Sequence, residues 1–216
     1  VRLFPLQPTQ INAIQSAKGF RGMLLKLTAR VLTPGLGIIK KRLLGYRATS
    51  ARRVNTLDVD VFYRIFENAV STANLVTTHR GPSFFEWRYI NAPYNSDLSF
   101  YLAGPGNAPS HYLVTRHYDL GTRTVTRILD IYGSFHDQGP IMDLLRVALR
   151  DAIEHGSAQV TTMITIPELE MAVKSVGFFA KVSTQFCWYS TSHLQMSAFK
   201  KPMYWTIGDS DVDSPV

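Results

Sequence analysis

The chain has 216 residues, 45% of them hydrophobic and 12% aromatic, with a formal net charge of +7. That composition is ordinary for a packed domain and excludes wholesale disorder, while a single cysteine, Cys187, excludes an internal disulfide and a four-ligand zinc site. The charge is unevenly placed: residues 1–57 hold eleven Lys/Arg and no carboxylate, whereas the remaining 159 residues carry a net −4.

Residues 11–31 mix apolar and basic positions at helical spacing, with Ile11, Ile14, Phe20, Met23, Leu24, Leu27 and Val31 able to share a broad face. Pro34, Gly35 and Gly37 break the pattern before a second basic stretch from Ile38 to Tyr46. Two readings stand. One is a basic amphipathic helix on an anionic membrane surface; the other is a helical linker that docks on a neighbouring domain, its charges solvated. The expected organisation is therefore a basic helical segment over 1–56 and one domain over 57–216. No stretch approaches the ~20 apolar residues of a membrane span. The lone cysteine fits a reducing compartment, so the expected location is cytoplasmic, with contact to the inner membrane if the basic segment binds there. Val1 and the absence of a signal-peptide pattern leave a longer parent protein as an expectation.

A helix is expected over 57–76, starting at Asp58 or Asp60 and burying Val61, Ile65, Phe66, Ala69 and Val70. An aromatic run, F-F-E-W-R-Y, follows at 84–89, then Pro93-Tyr94. Three strands come next, Leu98–Ala103, His111–Tyr118 and Thr124–Tyr132, whose short turns make an antiparallel meander. A helix over Ile141–His155 leads to a strand at Ala158–Thr165, and strand–helix–strand implies a parallel pair with a right-handed crossover. A helix over Pro167–Val176 stopped by Gly177, and a last strand at Lys181–Tyr189, complete the pattern. The expected fold class is α+β (mixed α/β): an antiparallel meander running into a parallel βαβ unit, with helices on both faces.

A ligand site is expected where the third strand ends and the following helix begins. The crevice beyond a strand's carboxyl end is the favoured binding place in such sheets, and the helix start offers N–H groups and a positive dipole end to an anion. The loop Ser134–Gly139 has a single glycine, and Asp137 would repel a phosphate.

The order of elements, with F-F-E-W-R-Y and Pro93-Tyr94, R-I-L-D-I-Y before the long helix, S-V-G-F-F, and the terminal W-T-I-G-D-S-D, resembles the GNAT acyl-CoA N-acyltransferases. It is similar in particular to the GNAT-like proteins of bacterial polysaccharide gene clusters, over about residues 57–213. The resemblance implies an acetyl-CoA or other acyl-CoA cofactor. Its pantetheine would pair with the backbone around Leu129 and Ile131, up to Tyr132, and its pyrophosphate would sit at Gln138, Gly139 and Ile141. It also implies an amine acceptor, such as an amino sugar of surface-polysaccharide assembly. Two departures from the family pattern stand out. His136-Asp137-Gln138-Gly139-Pro140 lacks the family's Gln/Arg-x-x-Gly-x-Gly/Ala pyrophosphate loop, and Val173 occupies the place of its tyrosine acid. The alternative is therefore a catalytically silent GNAT-fold module, paired with an upstream GNAT domain or a second copy of itself.

Single residues carry paired readings. Asp130 is either the general base for the amine or a strand residue bonding a neighbouring segment. Tyr132 either protonates the leaving thiolate or packs in the core. His136 either transfers a proton or is a surface loop residue. Arg88, between Trp87 and Tyr89, either binds a substrate anion or stacks on its aromatic neighbours. Cys187 reads as core, and Asp209, Asp211 and Asp213 lack the rest of a calcium loop. Nucleic-acid binding rests only on the charge of 1–57, without aromatics or a recognition motif, and is not expected.

Overall fold

A computed structural model describes residues 2–6, 18, 19, 23, 24, 26, 27, 37, 38, 41–43, 45, 46, 50–105, 108–180, 203, 204, 206 and 207. Its centre is a seven-stranded mixed sheet. The strands are β1 (Arg2–Pro5), β2 (Ala51–Val54), β3 (Leu98–Ala103), β4 (His111–Asp119), β5 (Thr124–Tyr132), β6 (Ser157–Thr162) and β7 (Phe179–Ala180), in the spatial order β2-β3-β4-β5-β6-β1-β7.

The meander is antiparallel from β2 to β5, and β5 pairs with β6 in parallel. The crossover between them is the helix over Gln138–Glu154. Both described ends of segment 1–56 are strands of this sheet rather than linker. β2 zips against β3 from Ala51↔Ala103 to Val54↔Phe100, and β1 lies antiparallel between β6 and β7. Period-2 patterning too short to read at 2–5 and 51–54 is completed by long-range pairing. The expected helix over 11–31 falls largely outside the described residues, and the strand Lys181–Tyr189, Cys187 and the aspartates at 209–213 fall wholly outside them; of the basic stretch over 38–46, residues 38 and 41–43 are helical. Among the described residues, no helix is long and apolar enough to cross a membrane.

Helix α1 (Val59–Ala73) starts as its sequence asks: Asp58 is the N-cap, and its carboxylate accepts from the Val61 N–H at 3.2 Å. Its buried stripe is Phe62, Ile65, Phe66 and Ala69, with Asn74 ending it in the left-handed conformation. The aromatic run folds as a short helix α2 (Pro82–Phe85) that widens into a π-helical turn over Glu86–Ile90. Helix α3 (Gln138–Glu154) starts one turn earlier than its apolar period suggests, and α4 (Pro167–Val176) ends at Gly177 in the left-handed region.

The two faces of the sheet take different helices. Phe62 of α1 meets the rings of Phe100 and Tyr112 at 6.1 and 4.7 Å. The next residue of β3, Tyr101, points the other way and donates to Asp151 of α3 at 2.9 Å. Covered on both sides, β3 is buried at every position. Asp143 of α3 accepts from Tyr46 Oη, and at 2.9 Å from Ser50 Oγ, and so fastens the approach to β2 onto the helix.

Candidate functional site at the end of β5

Two irregularities of β5 shape the site. The first is a bulge: Val114 pairs with Asp130, yet the next residue, Thr115, pairs with Ile128, so Leu129 is the extra residue. A bulge bends its strand and re-aims the backbone. The second is a parting. Pairing with β6 runs only as far as Arg127↔Thr161, whereas β5 continues to Tyr132. Beyond that point the parallel ladder stops, β6 itself ending at Thr162, and β5 runs on to Tyr132 with a gap in its pairing that leads into the turn before α3.

At that start Asp137 is the N-cap, its own N–H donating to the Ser134 carbonyl at 3.0 Å. Helical spacing gives the Ile141 N–H the Asp137 carbonyl as partner, and Pro140 has no N–H. Two backbone donors, Gln138 and Gly139, remain directed out of the helix end. Gln138 and Gly139, two of the expected cofactor contacts, are these helix-start residues; the third, Ile141, has its N–H within the helix and its side chain, 1% exposed, in the core. The Gln138 side chain is spent on structure, donating to the carbonyls of Phe135 (2.9 Å) and Glu168 (3.2 Å).

The loop before α3 is positioned by His111. Its Nδ1 lies 2.8 Å from Ser110 Oγ and its Nε2 3.1 Å from the Ser134 carbonyl. Burial lowers its pKa, which favours the neutral ring. The ring sits against Gly133, at φ 154°, where any Cβ would fall 2.1 Å from His111 Cδ2.

Asp130 lies at the centre of a buried charged cluster. Arg80 grips it with both prongs, Nε to Oδ2 at 3.1 Å and Nη2 to Oδ1 at 3.0 Å. Tyr89 donates to Oδ2 at 2.6 Å and Thr206 to Oδ1 at 2.5 Å. Arg80 also donates to Thr206 Oγ1 and to the Thr78 carbonyl, each at 2.9 Å. Its guanidinium lies over the rings of Tyr132 (4.7 Å), Phe84 (5.3 Å) and Phe66 (5.6 Å). Both charged side chains are fully buried. Burial is the largest single influence and would discharge Arg80, but the Asp130 charge, Tyr132, Tyr112 and the hydrogen bonding to Asp130 together overcome it and hold the guanidinium well above its ordinary pKa. Burial, followed by the same carboxylate charge, raises the Tyr89 hydroxyl well above the ordinary tyrosine value and keeps it a donor.

This geometry corrects the reading of Asp130 as general base. A base needs a lone pair within reach of its proton, and this carboxylate accepts four hydrogen bonds behind fully buried walls. Tyr132 is likewise enclosed, its hydroxyl 2.8 Å from Thr77 Oγ1. His136 is exposed on the turn before α3. The three do not meet at one point of the gap. Among the expected substrate contacts, Trp87 is 63% exposed, Arg88 is buried with its guanidinium 5.7 Å from the Trp87 ring, and Tyr89 faces inward to Asp130. Leu129 and Ile131 are buried as side chains, so any contact with a ligand is through their backbone. Among the described residues, no three His, Cys, Asp or Glu side chains gather as a metal site.

Arg80, His111, Tyr204 and Thr206 went unread in the sequence. Arg80 stands alone before Gly81-Pro82, without period or repeat. Tyr204 and Thr206 lie beside and within the W-T-I-G-D-S-D stretch, the one available signal.

No family model and no curated protein matches the sequence. Solved structures do. An aminoglycoside acetyltransferase from an uncultured soil metagenomic sample, solved in complex with trehalose, superposes with a TM-score of 0.51 at 13% identity over 66% of this chain and 95% of its own. A predicted acetyltransferase with acetyl-CoA from Clostridium acetobutylicum gives 0.51 at 13% identity over 64% and 94%. The mixed sheet, its parting strands and these superpositions agree: the chain has the GNAT acyltransferase fold.

Proposed function

We propose that this chain is an acyl-CoA-dependent N-acyltransferase that moves an acyl group onto an amine. The observation that carries this reading is the parting of bulged β5 from β6 beside the two outward N–H groups of α3. An acyl-CoA, when bound, supplies an activated thioester. The backbone at Leu129 and Ile131 would hold its pantetheine arm as an extra strand, and the Gln138 and Gly139 N–H groups would meet its pyrophosphate. A backbone N–H at the bulge would polarise the acyl carbonyl as an oxyanion donor. With Asp130 engaged, proton removal from the amine falls to water or to a group outside the described residues. An amino sugar of bacterial surface-polysaccharide assembly is the proposed acceptor, supported by the W-R-Y and P-Y segments.

The second reading, a silent GNAT-fold module that binds a substrate or partner, draws on the enclosure of Asp130 and the Tyr132 hydroxyl. Calorimetry separates the two. Titration with acetyl-CoA and longer acyl-CoAs to millimolar concentration is expected to give saturable heat, and amine-dependent thiol release should follow. No heat with any acyl-CoA refutes the enzyme reading for this chain.

A further inference from the structure

Every second residue of an antiparallel ladder turns its N–H and C=O to the far edge. In β5 the Ile131 carbonyl accepts a hydrogen bond from a side chain. The donor is the Tyr204 hydroxyl, at 2.8 Å, from a segment more than seventy residues along the chain. Tyr204 is fully buried, its ring 5.1 Å from Tyr132 and 5.2 Å from Phe135, next to the start of α3. Its N–H donates to the Val76 carbonyl at 2.9 Å. Met203 bridges Val76 and accepts from Thr165 Oγ1 at 2.9 Å, just past the end of β6. Thr206 is bonded to Arg80 and Asp130. Met203, Tyr204 and Thr206 thus cross from the end of α1 to the end of β6, over the gap between β5 and β6.

We infer that this C-terminal strap is a built-in competitor for the acyl-CoA cleft, satisfying with Tyr204 the carbonyl that a pantetheine amide would use. The inference rests on the acyl-CoA reading of the gap. Its consequence is a closed resting state: cofactor and strap exclude each other at Ile131, and occupied cleft means displaced Tyr204. Among the described residues the strap is held by the bonds of Met203, Tyr204 and Thr206 given above. Releasing Tyr204 leaves Thr206 on the Arg80–Asp130 pair, so opening is local and does not unfold the sheet. A closed state lowers apparent affinity by the fraction of open molecules.

The test uses the full chain and acetyl-CoA. Isothermal titration of the wild type, Tyr204→Phe and Tyr204→Ala is paired with hydrogen exchange of the Tyr204 amide, protected by its bond to Val76. The expected result is binding at least about tenfold tighter in Tyr204→Ala, the disturbance of one buried contact of about 1.4 kcal/mol. A smaller gain is expected in Tyr204→Phe, which loses only the hydroxyl. In the wild type, saturating acetyl-CoA should speed exchange of the Tyr204 amide. Should Tyr204→Ala fail to fold, the exchange result and Tyr204→Phe decide. Equal affinity in wild type and variants, with the Tyr204 amide still protected when ligand is bound, overturns the strap and leaves the acyl-CoA reading standing. Absence of binding in every chain overturns both.

Discussion

Arg80→Met and Asp130→Asn decide whether Asp130 holds the fold or does chemistry. Each side chain is fully buried and gripped by the other through two bonds of 3.0 and 3.1 Å. Removing one partner leaves the other charge desolvated, a change worth about 3–5 kcal/mol. With a urea m-value of about 2 kcal/mol/M, the unfolding midpoint should fall by about 1.5–2.5 M. The double variant Arg80→Met/Asp130→Asn removes both charges at once. It still weakens the bonds of the Tyr89 and Thr206 hydroxyls, at about 1–3 kcal/mol, so its cost should fall well short of the sum of the singles. A coupling of at least about 2 kcal/mol is expected, measured by equilibrium urea unfolding followed by circular dichroism. Singles that cost under about 1 kcal/mol, or that simply add, would refute the reasoning. An Asp130→Asn chain of unchanged midpoint and abolished acyl transfer would restore Asp130 as a base.

The His117 ring stacks on His155 at 4.1 Å, and burial, then the His155 and Arg53 charges, lower its pKa to about 3. The unfolded chain binds this proton below about pH 6.5 and the native chain only near 3, so stability is lost as pH falls through that window. Unfolding free energy should drop by about 1–2 kcal/mol more between pH 7 and 5 in the wild type than in His117→Gln, and equal drops would refute the assignment. Gly133→Ala forces a methyl to 2.1 Å from His111; a loss of about 2 kcal/mol or more in thermal unfolding is expected, and an unchanged melting temperature would contradict it. Asp143→Ala frees Ser50 from Asp143 and leaves Tyr46 held to α3 by Arg146 and Arg150; it should cost about 1–3 kcal/mol and speed tryptic cleavage at Arg52 and Arg53, and wild-type cleavage kinetics would contradict the tether.

What the sequence disclosed was whatever is local. β3 and β5 follow short, largely apolar runs bounded by turns, α4 lies between Pro167 and Gly177, and Asp58 caps α1 through a bond three residues away. The mixed sheet followed from short connections and one long crossover. What stayed hidden depends on partners distant in the chain. β1 and β2 are four residues each and acquire strand character only from β6, β7 and β3. Asp130 read as a base because sequence displays a carboxylate at a strand end but not the arginine fifty residues earlier that claims it. The start of α3 was read three residues late, at Ile141 rather than Gln138, because Pro140 marks a first helical turn and the residues before it carry no apolar period.

The position of β1 sets an order of events for a chain made from its N-terminus. Phe4 is made 156 residues before Val160, with which it registers inside the sheet, between the later-made β6 and β7. At roughly 5–20 residues per second, β1 exists for about 8–30 s before β6 leaves the ribosome. Through that interval the meander from β2 to β5 and the helix α3 can assemble from neighbours in sequence. β1 meanwhile must stay extended and unpaired, and β6 emerges as an exposed edge. Closing so long a loop is slow relative to hairpin formation. The first-made strand is the keystone laid late, and the window before it docks is when this protein is most open to pairing with the wrong chain.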